Sequence, residues 1–216
     1  MTAMKTILAF GDSLTYGHNV ETQKRHAFED RWTSVLEAGL DGAARVISEG
    51  LGGRTTVFDD FSSAADRNGA RVLPTLLDTH KPLDLVIIFL GTNDLKTYTC
   101  GSAYGAAMGI KRLVEIVRTH PYGTFGSVPQ VLVVAPPLNV PVAAGDPAPM
   151  ISPRPPDEAR QFAPLYGRVA SDLGAAFFDA AQVAVCTPID GIHLDAENTR
   201  AIGTGLVPVV KQVLRL

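Results

Sequence analysis

Ser13 stands in the run ILAFGDSLTYGH (Ile7 to His18), where an apolar stretch ends abruptly at Gly11 and Asp12. A serine hydroxyl attacks a carbonyl effectively only when an adjacent base takes its proton. His193 is the candidate base. Asp190, three residues upstream across Gly191, is the candidate to fix the imidazole tautomer and stabilise the imidazolium that forms. One turn, DGIH, then presents both. A tetrahedral intermediate also needs donors aimed at its oxyanion, and losing one typically costs about 100- to 1000-fold in rate. The chain offers the backbone N–H of Ser13, a backbone N–H in the Gly52-Gly53 turn, and the side-chain amide of Asn93 in GTND. Together these are the parts of an acyl-transfer site. Singly, each also reads as an ordinary turn, bend or cap. Their joint occurrence behind apolar strands is what points to catalysis.

The apolar pattern shows what must hold them. Five short, continuous apolar segments read as strands: Lys5 to Phe10, Ala44 to Glu49, Asp84 to Leu90, Gln130 to Pro136 and Ala175 to Ala180. Continuous rather than alternating runs indicate strands covered on both faces, as in a parallel sheet. Segments of helical length lie between them. Trp32, Val35, Leu36 and Leu40 fall on one stripe of Arg31 to Leu40. Val72 to His80 is a shorter candidate, and Ala106 to His120 spaces Met108, Ile110, Leu113, Val114 and Val117 at helical intervals. Gln161 to Leu173 is interrupted by Pro164 and Gly167, and Ala196 to Leu214 follows Asp195, a residue type suited to an N-cap.

This alternation predicts one doubly wound α/β domain over residues 1–216, with right-handed crossovers. In such a sheet ligands bind beyond the carboxyl ends of the strands. The blocks that carry chemistry follow the first, second, third and fifth strands, so they meet at one edge. The Pro- and Ala-rich stretch Pro136 to Pro156 follows the fourth and is expected to overhang the same edge.

Composition narrows the function classes. Of 216 residues, 46% are apolar and 19% charged, a globular balance. A net charge of −3 without a Lys/Arg cluster gives no footprint for nucleic acid. The longest apolar run, Leu85 to Leu90, is far too short to cross a bilayer. Cleavage of an N-terminal leader would also remove the strand that ends at Ser13, so a cytoplasmic protein without membrane contact is expected. Cys100 and Cys186 are too few for a disulfide framework and lack metal-site spacing. His18, His26, His80 and His120 have no mutual metal spacing either, and they read as surface or loop residues.

The blocks FGDSLT, GLGGRTT, GTND and DGIH, in that order across nearly the whole chain, resemble the four blocks of the SGNH hydrolases, also called GDSL esterases. Arg31-Trp32, Arg54 to Thr56 and Pro82 to Ile88 are similar to the bacterial arylesterase and acyltransferase branch of that family. The resemblance implies a flavodoxin-like three-layer SGNH hydrolase fold with a five-stranded parallel sheet, in agreement with the strand reading. It implies Ser13 as nucleophile, with Asp190 and His193 as its partners. It implies Gly53, rather than Gly52, as the second oxyanion donor and Asn93 as the third. No metal or organic cofactor is implied. The substrate implied is a small aryl or short-chain alkyl ester, with water or an alcohol as acyl acceptor. Relatives in the acyltransferase branch form oligomers, so a homo-oligomer is expected here.

Neighbouring residues take supporting readings. Asp12 is read as bracing the turn, and with Tyr16 and His18 it is placed at the substrate entrance. Asp179 and Asp195 rival Asp190 as the orienting acid, but a strand end and an N-cap account for them. Asp94 and Lys96 read as loop and surface groups. Arg54 reads as an ion-pair partner near the site or at a subunit contact. Two other functions compete. A carbohydrate acetylesterase of the same fold uses the same residues on acetylated sugars, whereas a non-catalytic flavodoxin-like binding domain turns over no ester. The α/β-hydrolase elbow G-x-S-x-G fails at Thr15, and no P-loop or G-x-G-x-x-G stretch supports nucleotide binding.

Overall fold

The computed structural model describes residues 4–142 and 154–216. Along the chain its strands are β1 (Lys5–Gly11), β2 (His18–Asn19), β3 (Lys24–Arg25), β4 (Ala44–Gly50), β5 (Leu85–Phe89), β6 (Gln130–Ala135) and β7 (Ala176–Asp179). Five of them form one parallel sheet in the order β4-β1-β5-β6-β7, while β2 and β3 pair as a short antiparallel ribbon. Each of the five predicted strands is present, displaced by at most one residue at either end.

The helices are α1 (Ser13–Tyr16), α2 (Trp32–Gly39), α3 (Gly69–His80), α4 (Ala103–Thr119), α5 (Pro156–Ala159), α6 (Phe162–Leu173) and α7 (Ala196–Leu214). Helices α3 and α4 begin three residues before their apolar stripes do. Polar partners extend them: the N-cap Ser102 accepts from Gly105 N at 3.0 Å, and Thr55 O accepts from Gly69 N at 3.2 Å. Pro164 does not break α6, because it falls in the first turn, where its missing N–H has no intrahelical partner. Asp195 caps α7 as expected, accepting from Asn198 N at 2.8 Å.

Both sheet faces are covered. Leu8, Phe10, Val86, Ile88, Val131 and Val133 pack with Leu73 and Leu77 of α3, Ile110, Leu113 and Val117 of α4, and Phe162 and Tyr166 of α6. Ile7, Ala9, Ile87, Phe89, Leu132 and Val134 face the other way, onto Trp32 and Leu36 of α2 and Ile202, Leu206 and Val210 of α7. Removing each of the Val, Leu, Ile and Phe side chains from water stabilises the fold by roughly 1.5–3 kcal/mol. The result is the three-layer arrangement that continuous apolar strands predict.

Register sets the height of the loops at the carboxyl edge. β1 lies between β4 and β5, and Gly11 at its end pairs with Gly50 on one side and Phe89 on the other. The loops carrying Ser13, Gly53 and Asn93 therefore leave the sheet from one level. Most of Pro136 to Pro156 falls on residues 143–153, outside the described residues. Its described beginning does reach the carboxyl edge, where Val140 N donates to Gly191 O at 3.0 Å. No helix among the described residues is long and apolar enough to cross a membrane.

Candidate active site

The strand-to-serine handover is made by α1, a single turn too short to show any periodicity in sequence. Asp12 is its N-cap, with Oδ1 accepting from Leu14 N at 2.9 Å. Ser13 is the first helical residue, and its N–H has no hydrogen-bond acceptor among the described residues. Its Oγ lies 3.0 Å from His193 Nε2. On the far side of the ring, His193 Nδ1 is hydrogen-bonded to Asp190 Oδ2. Asp190 Oδ1 accepts from the backbone N–H groups of Ile192 and His193, both at 2.9 Å. The turn between them needs Gly191, which has φ +75° and leaves space where a Cβ would stand 2.2 Å from Val140 O.

Burial pulls the Asp190 carboxyl upward. The hydrogen bond from His193, the charge of that ring and the two backbone N–H groups outweigh burial and hold the carboxyl down to about 2. Ionised Asp190 keeps the proton on Nδ1, so Nε2 is the acceptor for the Ser13 hydroxyl.

Opposite this chain lie the candidate oxyanion donors. Gly53 has φ +82°, a conformation residues with a side chain rarely adopt, and a Cβ there would meet the Arg67 guanidinium carbon at 2.5 Å. Among the described residues the Gly53 N–H is without an acceptor. Asn93 is oriented by its surroundings. Arg154 Nη2 donates to Asn93 Oδ1 at 3.2 Å, while Nδ2 donates to Arg54 O at 3.1 Å and Asp12 Oδ2 at 3.2 Å. Behind them Asp94 ties the β5 loop to the β4 loop, accepting from Thr56 N and Thr56 Oγ1. Burial pushes the Asp12 carboxyl up to about 6 and the Asp94 carboxyl up to about 7.

Ser13, Gly53, Asn93 and His193 thus surround one cavity of about 330 Å³, whose wall continues through Gly52, His18, Lys96, Tyr98, Arg154 and Ile192. The model of a family described as GDSL-like lipase/acylhydrolase matches residues 9–200. The chain belongs to that family. As a GDSL-like acylhydrolase it is a carboxylic ester hydrolase. A carbohydrate acetylesterase family member from Sinorhizobium meliloti is 51% identical, covering 99% of this chain and 100% of its own, at a TM-score of 0.94. The native aryl esterase of M. smegmatis is 41% identical, covering 97% of this chain and 99% of its own, at a TM-score of 0.89. A second carbohydrate acetylesterase from Sinorhizobium meliloti is 38% identical, covering 97% and 99%, also at 0.89. No curated protein matches the chain.

In this GDSL-like hydrolase the other expected residues divide. His18 lines the cavity, its ring 4.5 Å from that of His193. Burial, then the charge of His193, lowers the His18 pKa below its ordinary value. Asp12 and Tyr16 do not line the cavity, contrary to the expectation of substrate contact. Asp12 is 1% exposed and spends its oxygens on Leu14 N and Asn93, while the Tyr16 ring faces the Arg25 guanidinium at 4.4 Å.

Asp94 and Lys96 are not surface groups. Asp94 has the Thr56 partners described above, and Lys96 Nζ is drawn in by Asp60 Oδ2 at 2.8 Å. His26 is buried too, with Nε2 donating to Leu194 O at 3.0 Å, and so ties the end of the β2–β3 ribbon to the His193 loop. Arg54 is an internal brace: Nη1 donates to Gly11 O and Glu49 O, and the guanidinium lies 4.4 Å from the Phe10 ring. Asp179 accepts from Ala181 N and Gln182 Nε2, away from His193, so neither it nor the capping Asp195 competes with Asp190. Sequence reasoning missed Lys96, Tyr98 and Arg154 as cavity residues. The one available signal was a lone arginine in a Pro-rich stretch behind a strand.

Proposed function

We propose that the protein hydrolyses small acyl esters, aryl or short-chain alkyl, through an acyl-enzyme on Ser13. The observation that carries this reading is the hydrogen-bonded series Ser13 Oγ, His193, Asp190 at the wall of a cavity that Gly53 and Asn93 also face. Ser13 Oγ attacks the ester carbonyl as His193 Nε2 takes its proton. The carbonyl π pair moves onto oxygen, where the N–H groups of Ser13 and Gly53 and the Asn93 amide hold it. The C–O bond to the alcohol breaks as the pair returns, and His193 gives its proton to the leaving oxygen. Water then repeats the sequence on the acyl-serine, releasing acid and restoring the serine. Asp190 holds the imidazole and balances its charge throughout.

An organophosphonate followed by mass spectrometry is expected to mark Ser13, and Ser13→Ala to abolish turnover of p-nitrophenyl acetate. A Ser13→Ala variant with undiminished activity would sink the assignment. A second reading, deacetylation of carbohydrates, draws on the polar wall of the cavity, which Lys96, Arg154 and His18 share with Asn93. Similarity to the Sinorhizobium acetylesterases favours it as well. Peracetylated xylose turned over faster than p-nitrophenyl acetate would select it. Acyl transfer to alcohols and assembly of several copies in the cytoplasm complete the proposal. Ester formation in the presence of added alcohol, and light scattering at micromolar concentration, test these parts.

A further inference from the structure

Two guanidinium groups hold the candidate oxyanion donors, one at the carbonyl end of each amide. Gly52 O and Gly53 N–H belong to a single peptide unit. In a trans peptide its carbonyl and N–H point in opposite directions. Arg67 Nε donates to Gly52 O at 3.1 Å, so the N–H of the same unit is turned away from Arg67. The second amide is the Asn93 side chain, whose Oδ1 accepts from Arg154 Nη2 at 3.2 Å while Arg154 Nε grips the preceding Thr92 O at 2.9 Å. In both cases a cation holds the carbonyl end of an amide that borders the cavity.

Arg67 is itself held. Arg67 Nη1 donates to Asp60 Oδ2 at 3.0 Å and to Ser62 Oγ at 2.8 Å. Asp60 is fixed in turn by Lys96 Nζ at 2.8 Å and by Ser62 Oγ at 2.6 Å. The missing Cβ at Gly53 is what lets the Arg67 side chain lie this close. Arg154 belongs to the cavity wall. Proton transfer runs between Ser13 and His193 and requires neither arginine.

We propose that Arg67 and Arg154 are positioning residues of the oxyanion hole, each acting through the far end of one donor amide. A charge-assisted bond to an amide oxygen draws electron density from the nitrogen and makes its N–H a stronger donor. It also fixes the direction of that N–H before the oxyanion forms, which is when preorganised donors count most. In the ground state the carbonyl oxygen of the ester demands little from the donors. The two arginines therefore act on kcat and leave KM nearly unchanged.

This inference rests on Gly53 and Asn93 being oxyanion donors, so its test includes a variant that examines that reading separately. Steady-state kinetics on p-nitrophenyl acetate are compared for Asn93→Ala, Arg154→Met, Arg67→Met, and each arginine variant combined with Asn93→Ala. Asn93→Ala is expected to lower kcat about 100-fold or more, the cost typical of one lost donor. Arg154→Met and Arg67→Met are each expected to lower kcat about 10- to 100-fold, the scale of a donor misplaced by about 1 Å, with KM within about twofold.

In the Asn93→Ala background, Arg154→Met should cost under about twofold further, whereas Arg67→Met should keep its full cost because it acts on Gly53. Guanidinium chloride at millimolar concentration is expected to restore part of the activity of Arg154→Ala and none of that of Asn93→Ala. A raised KM with kcat unchanged, or a full Arg154 cost in the Asn93→Ala background, overturns the proposal alone. An Asn93→Ala variant with wild-type kcat overturns the oxyanion reading and the proposal with it. If Arg67→Met shows no cooperative melt, Arg67→Lys takes its place. There Asp60 retains a cation while Gly52 O loses its partner, so the same fall in kcat is expected, and a wild-type kcat counts against the proposal.

Discussion

Asp190 and Asp12 are both buried at the carboxyl edge of one sheet, the first linked to Ser13 through His193 and the second its neighbour in the chain. Asp190 meets an imidazole and two backbone N–H groups, whereas Asp12 meets one backbone N–H and the neutral Asn93 amide. The first carboxyl is held down to about 2 and the second is pushed up to about 6. Asp94, which also faces neutral donors from Thr56, goes up to about 7. Asp12 and Asp94 are the more deeply buried, and burial is the main cause of their upward shift. The less enclosed Asp190 also has a partner that can itself carry a positive charge. A carboxylate beside an ionisable ring stabilises the charge that catalysis creates there, while a carboxylate among neutral donors organises geometry.

Replacing each acid by its amide is the strongest attempt to break this comparison. Asp190→Asn should leave the turn intact and lower kcat about 10,000-fold, because the wrong imidazole tautomer is favoured. Asp12→Asn should act only through Asn93 and cost far less, at most about the 100- to 1000-fold of one misdirected donor. Equal losses for the two in a p-nitrophenyl acetate assay would erase the distinction.

Acid stability sharpens it next. Asp190 titrates lower in the folded chain than in the unfolded one, so its contribution is present above the ordinary value of 3.8 and is lost as pH falls toward about 2. Asp12 has the opposite sign. Its raised value means that stability is lost as pH rises from 3.8 to about 6, so the melting temperature of Asp12→Asn should gain on that of the wild type across this window and then run parallel. Thermal melts at half-unit pH intervals give both slopes.

The smallest effect concerns the exposed acid that only caps a helix. Asp195→Ala should cost about 1 kcal/mol in a denaturant titration and leave kcat unchanged. A fall in kcat would place Asp195 with Asp190 after all.

Much of this contrast was legible in the sequence. The five strands stand out because burial on both faces writes unbroken apolar runs, and Ser13, Asn93 and the Asp190–His193 turn each follow one. The helix α1, the β2–β3 ribbon and α5 are too short for any period to register. The buried state of Lys96 and Asp94 was misread because charge suggests solvent, and only a partner 36 or 38 positions away reverses that. Arg154 reaches Asn93 across 61 positions, a contact that no local pattern encodes.

The level at which the strands end has one more consequence. A strand advances about 3.3 Å for every residue it contains. One residue inserted within β4 would lift the Gly52–Gly53 turn a full rung beyond Ser13, further than the margin between a made and a broken hydrogen bond. The same residue inserted at the exposed Gly126–Ser127 connection would shift nothing at the cavity. The sheet is thus a gauge block: the connections away from its active edge are free to lengthen, while the count of residues from Lys5 to Gly11, Ala44 to Gly50 and Leu85 to Phe89 sets the tolerance to which the hydrolase is machined.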